Sequence, residues 1–316
     1  MEFIPSPSPL PADDDDAMRR EQLYPREDAP AGFVPPMSHA DVAAVEALLG
    51  YEFADKALVE QALTHGSFYY PYRPGESTYE RLEYLGDGVL TCLMSREVFL
   101  TYRDLPPGPL TRLRAANVDK EKLARVAVDH GIHRFLRHKA PQLDGQIDDF
   151  IKELCEYQYH SNGLLDAPKV LSDIVESLIG AIYLDSNFNQ EVVWRVFQNL
   201  ADPFISLETL GKHPVSELLE FCQKTRRGLK IVKDGWDKDL KVDVLVDGEL
   251  VGSAIYAQKK EIAQNRAAKA ALDKLKETMG QCQVESATGE VPESLDRLDL
   301  AGALDLRSNA ESPSVQ

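Results

Sequence analysis

Two hydrophobic periods divide the chain. Between Asp41 and Phe204 apolar residues return every three to four positions, the period of helices packed on helices; between Leu229 and Tyr256 they return every second position, the period of strands. Val42, Val45, Leu48 and Leu49 share the face of a first helix, with Asp41 as its N-cap and Gly50 as its stop. A second helix spans 55–64, a Gly-, Pro- and Tyr-containing loop 66–79, and a third helix 80 to about 102. Pro106-Pro107-Gly108-Pro109 breaks the chain, and helical periods resume over 110–118, 120–131 and 148–162. Pro168 opens a helix that is apolar nearly all round (Val170, Leu171, Ile174, Val175, Leu178, Ile179), and a helix over 190–204 closes the all-α part. A helix over 215–226 then precedes strands at 229–233, 241–246 and 250–256, with Asp247-Gly248 as a hairpin turn. A helix over 259–279 with an Ala-rich face completes an α-β-β-β-α order.

Acidic residues interrupt this pattern twice. Glu80, Glu83 and Asp87 stand at i, i+3 and i+7, on one narrow stripe of the third helix, while Leu82, Leu85, Val89 and Leu93 form its apolar stripe. Like charges at such spacing destabilise a helix, more so when desolvated, so the stripe asks for a cation. Asp173 and Glu176, again at i, i+3, lie inside the most apolar helix, where carboxylates are costly unless paired or bound to metal. Gly180-Ala181 offers a small-residue patch for the close approach of another helix. Oxygen-only ligands suit Mg²⁺ or Mn²⁺ and not zinc.

Composition narrows the picture. The 316 residues carry a net charge of −17, but unevenly: residues 1–40, 41–211, 212–280 and 281–316 hold −5, −10, +3 and −5. Only the α-β-β-β-α segment is positive and suited to phosphate. Four scattered cysteines without a CxxC pair favour a reducing compartment over a disulfide framework. The acidic start lacks the regions of a secretory or transit peptide, and no apolar run is long enough for a membrane helix. The expectation is an intracellular protein of nucleus or cytoplasm, not secreted. Domains are expected at 41–206 and 212–279, with a linker at 207–211 and disordered acidic tails at 1–40 and 280–316.

Tyr79-Glu80-Arg81-Leu82-Glu83-Tyr84-Leu85-Gly86-Asp87 resembles the signature of the ribonuclease III family. Gly50-Tyr51-Glu52-Phe53, Ala62-Leu63-Thr64-His65-Gly66-Ser67, Leu110-Thr111-Arg112-Leu113-Arg114 and the two runs 168–177 and 180–186 resemble further family motifs in the same order, the last pair in the Lys-containing form of Dicer-type enzymes. Tyr79 departs from the Asn usual in bacterial members. Residues 212–278 are similar to a double-stranded-RNA-binding domain, and the arrangement is most like the plant ribonuclease-III-like proteins.

The resemblance implies an all-α endonuclease domain followed by a small α+β RNA-binding domain. It implies Mg²⁺-dependent hydrolysis of double-stranded RNA, with Mn²⁺ able to substitute, leaving 5′-phosphate and 3′-hydroxyl ends with short 3′ overhangs. Glu83, Asp87, Asp173 and Glu176 would hold the metal, Glu80 and Lys169 would support them, and His65 would serve structure. Tyr84, read onto the side opposite Glu80 and Asp87, would pack into a second copy, giving a homodimer. Glu220 would meet 2′-hydroxyls, and Lys259, Lys260 and Arg266 would meet phosphates; dsRNA-binding proteins are expected as further partners. The competing reading is a catalytically inactive dsRNA-binding or ribosome-associated relative. The C-terminal part of a Dicer-like enzyme is disfavoured by the chain's own starting Met.

Overall fold

The structure, a computed structural model, describes residues 35–69, 78–157 and 159–287, with side chains to 279. The expected tails fall mostly outside these residues. Compact units divide at 274/275, inside the last helix.

The helical part begins with α1 (His39–Leu49), capped by Ser38 and not by Asp41: the Ser38 hydroxyl accepts from the Asp41 amide at 3.0 Å, so the helix starts three residues earlier than its apolar face suggests. Gly50 ends it with φ 62°, as expected of a glycine stop. Then follow α2 (Ala57–Ala62), α3 (Glu80–Thr101), α4 (Pro107–Val118), α5 (Lys120–Asp129), α6 (Pro141–Leu154), α7 (Lys169–Asp185) and α8 (Gln190–Ala201). Pro107 does not delay α4 but occupies its first turn, where the missing N–H costs nothing.

The largest departure is α6. It opens at Pro141 and stops at Leu154, where a helix over 148–162 was expected. The apolar signal in that stretch comes from Ile147 and Phe150, both buried. Beyond Cys155 the Arg125 guanidinium draws the Tyr157 and Tyr159 carbonyls to itself at 3.0 and 2.9 Å, which an α-helix would keep for its own amides. α8 ends before Asp202-Pro203, as the residue before proline avoids helix.

α7 is the centre of the helical part: Val170, Leu171, Ile174, Val175, Leu178, Ile179, Ala181 and Ile182 are all buried, as its all-round apolar sequence demands. In the smaller part, α9 (Pro214–Lys224) is followed by β1 (Leu229–Val232), the short α10 (Trp236–Asp239), β2 (Lys241–Val246), β3 (Glu249–Ile255) and α11 (Lys260–Ala287). The sheet is antiparallel in the order β1-β2-β3. Val242, Val244 and Val246 face the core in strict alternation. Asp247 and Gly248 take positive φ (54° and 88°), as a two-residue hairpin requires. α11 runs past the expected end at 279.

Candidate active site

Two glycines explain why the acids of α3 and α7 meet. A Cβ on Gly86 would lie 1.8 Å from the Glu176 carbonyl oxygen, and one on Gly180 would lie 2.1 Å from that of Leu82. The helices therefore cross backbone to backbone, and side chains flanking the contact are forced together. Carboxylate oxygens of Glu83, Asp173 and Glu176 all come within 4.8 Å of one another. Asp87 is outside this trio and exposed, yet near enough that its charge weighs on Glu176.

The electrostatics record the crowding. Burial, then the charges of Asp87, Asp173 and Glu83, push the Glu176 carboxyl up to about 8. Burial also raises Asp173, against hydrogen bonding from Lys169. The Lys169 ammonium bridges Glu83 and Asp173 at 2.7 Å each; burial lowers it, the two hydrogen bonds outweigh burial, and it is held well above the usual lysine range. Four carboxylates against one ammonium leave three formal negative charges. This excess, made wholly of oxygen donors, fits a hard divalent cation.

Tyr79 completes the geometry. It is buried, and its hydroxyl donates to Asp173 Oδ2 at 3.1 Å while Lys169 holds Oδ1. In the sequence Tyr79 stands out only as a departure from the bacterial motif. A usable signal was present: four residues before Glu83, it shares that residue's helical face.

Residues 80–187 match the Ribonuclease III domain, and residues 214–275 the double-stranded RNA binding motif. The chain is 78% identical over 277 residues to Ribonuclease 3-like protein 3 of Oryza sativa subsp. japonica, an alignment covering 88% of this chain and 92% of that protein. It belongs to the ribonuclease III family.

Ribonuclease 3-like protein 2 of Arabidopsis thaliana is 40% identical, covering 86% of this chain and 68% of that protein. Endoribonuclease Dicer homolog 1 of rice is 48% identical over 74% of this chain but only 12% of its own length. The chain is thus a ribonuclease III type endoribonuclease with a double-stranded-RNA-binding motif.

As a family member it places the other expected residues as follows. Glu80 is exposed and takes a hydrogen bond from the Thr78 hydroxyl. His65 Nδ1 is tied to Ser67, a local structural contact. Tyr84 is 83% exposed, but not opposite the acids: it lines one groove with Asp87, Leu85, Gly88 and Tyr183. At 100° per residue, position 84 lies about 40° from 80 and about 60° from 87, so the three share a side.

In the RNA-binding domain, Glu220 pairs with Lys212 at 2.9 Å. Lys260 lies over the Trp236 ring, 5.7 Å from its centroid. Lys259 pairs with Asp166 at 3.5 Å, and Arg266 reaches Glu153 at 2.9 Å. These last two turn toward the helical part. No helix among the described residues is long and apolar enough to cross a membrane.

Proposed function

We propose that this chain hydrolyses double-stranded RNA in a Mg²⁺-dependent reaction, with Mn²⁺ able to substitute, leaving 5′-phosphate and 3′-hydroxyl ends. The supporting observation is the convergence of Glu83, Asp173 and Glu176 at a glycine-enforced helix crossing. Glu83, Asp173 and Glu176 would hold the metal, with Asp87 closing the open side. When bound, a divalent ion of this kind activates water and neutralises charge developing on phosphate oxygens. The protein's own share is positional: Tyr79 and Lys169 take one oxygen each of Asp173, and Lys169 tethers Glu83. Expected products are duplexes with short 3′ overhangs, which requires two catalytic domains acting on opposite strands.

A second copy of this chain is the natural source of the other domain. Tyr84 is exposed and lines a groove of mixed character with the apolar Leu85, Val89 and Tyr183 beside Asp87 and Gln190, a surface on which a second copy would bury its ring. Replacing it, Tyr84→Asp, is expected to shift the sedimentation coefficient from dimer toward monomer; an unchanged dimer would count against this role. Free Cys92, Cys155 and Cys222 suit a reducing intracellular setting. The inactive-relative reading is disfavoured because all four acids are present and three converge.

The test is long duplex RNA incubated with Mg²⁺ and separately with Ca²⁺, followed by sizing and end analysis. Short duplexes with 5′-phosphates in Mg²⁺ alone are expected. Intact RNA in both would overturn the proposal.

A further inference from the structure

α11 is a two-sided helix. Lys260 and Arg266 are six residues apart, about 120° around it, whereas Lys259 and Arg266 are seven apart and nearly eclipsed. Lys260 lies toward the sheet side, over Trp236 of α10. The Lys259–Arg266 side meets a different surface, residues 153–166 of the helical part. Asn265, only 2% exposed, donates to the Gly163 carbonyl at 2.7 Å. Arg266 donates through Nε to the Leu164 carbonyl at 2.9 Å and through Nη2 to Glu153 Oε2 at 2.9 Å, while its guanidinium packs on the Tyr256 ring at 4.5 Å.

The receiving surface is built to stay in place. Glu121, buried, accepts from the Ser161 amide at 2.7 Å and from its hydroxyl at 2.5 Å. The same hydroxyl accepts from the Leu164 and Leu165 amides. Gly163 has φ 90°, and a Cβ there would stand 2.9 Å from Asn265 Nδ2 and 3.3 Å from His213 Nε2. A Cβ on Gly211, in the expected linker, would stand 2.1 Å from Asn162 Nδ2. Linker, loop and helix are thus in close contact at three points.

We infer that Asn265 and Arg266 of α11, together with Lys259 just before it, form an intramolecular docking surface for residues 153–166, separate from the Lys260 side that faces duplex RNA, so that the RNA-binding domain is held in one position relative to the catalytic acids. Arg266 is then a docking residue and not a phosphate contact. Through Asp166, which Lys259 and Lys120 both approach, the seam ends three residues before Lys169 of the acid centre. A duplex gripped by the module enters that centre along a fixed path.

The test is the spin–spin distance distribution between nitroxides at residues 195 and 230, in full-length chain cleared of native cysteines and diluted with unlabelled chain. A single narrow distribution is expected, broadening in Arg266→Ala and in the milder Glu153→Gln. Affinity for a blunt duplex across a salt series supplies the second arm. Lys260→Ala should lower affinity and flatten the log–log salt slope by about one, whereas Arg266→Ala should leave the slope intact. Distributions unchanged by both seam variants would overturn the docking. A slope flattened by Arg266→Ala as by Lys260→Ala would overturn the separation of faces. The second arm rests on the duplex-RNA reading: no binding by any variant would defeat that reading and the separation of faces, and the distance arm alone would then decide the docking.

Discussion

The acid centre between α3 and α7 and the seam between residues 153–166 and α11 are both made of charge, and they treat it in opposite ways. At the seam cations meet anions directly: Arg266 with Glu153, Arg125 with Glu121, and Lys259 with an Asp166 that Lys120 also approaches. At the acid centre, among the described residues, Lys169 pairs with Glu83 and Asp173 alone, and Glu176 is driven up to about 8. Self-satisfied charge stabilises a contact; unsatisfied charge, held together by backbone packing, stores a demand for a ligand. The glycines make that demand durable. Without the direct contact of α3 and α7, the carboxylates would separate and the repulsion would vanish along with the site.

The strongest way to break the comparison is therefore a methyl group. Gly86→Ala would place its Cβ against the Glu176 carbonyl and should cost about 3 kcal/mol or more of unfolding free energy, read by denaturant melts, with cleavage abolished. Gly88→Ala, two residues on, meets nothing within 4 Å. It should keep or slightly raise stability, since alanine is the better helix former by roughly 1 kcal/mol. Equal melts for the two variants would deny that the crossing is glycine-limited.

A smaller effect should follow loss of one hydroxyl. Tyr79→Phe keeps the ring and removes the donor to Asp173. A hydrogen bond to a charged group is worth about 1.5–3 kcal/mol, so Mn²⁺ affinity measured by calorimetry should fall by up to roughly 10- to 150-fold, with a drop of a few degrees in the melting temperature of the metal-free protein, where the same bond is already made. Unaltered Mn²⁺ affinity would remove Tyr79 from the site.

How much of this was legible in the sequence follows from which contacts are local. The helical and strand periods, the Asp247-Gly248 hairpin and the two acidic pairs each repeat within a few residues, and all were readable. Gly180-Ala181 read as a small patch, but its partner Gly86 did not, because nothing local marks which glycine faces another helix. Tyr79 and Asp173 are 94 residues apart. The loop after Leu154 takes its shape from Glu121 and Arg125, more than 30 residues earlier. Arg266 could be read as basic, but its partner Glu153 stands 113 residues away. Tyr84 was placed on the wrong side of α3, although helical geometry alone would have put it beside Asp87.

The smallest effect sharpens the seam's side of the comparison. His160 donates toward Asp119 at 2.8 Å, with Glu121 and Arg125 also nearby. Burial lowers its pKa, but the Asp119 hydrogen bond and the charges of Glu121 and Asp119 outweigh burial and raise it above 6.5. A group raised on folding stabilises fully below its unfolded value and loses that contribution as pH climbs through its folded value. Amide exchange at residues 161–165, corrected for intrinsic rates, should therefore rise modestly from pH 6.5 upward, and His160→Gln should flatten the profile. A profile identical in wild type and variant would show that His160 does not hold this segment.

The proposed role of the crowded carboxylates is to hold a metal that serves phosphodiester cleavage. It is tested most directly by Glu176→Gln, assayed on long duplex RNA at saturating Mg²⁺ beside the unmodified chain. Metal-borne stabilisation of the transition state is worth several kcal/mol, so the rate should fall by about 10²–10³. The melting temperature of the metal-free protein should hold or rise, because the folded state no longer bears the cost of a buried carboxyl driven up to about 8. Cleavage at an undiminished rate would contradict the account.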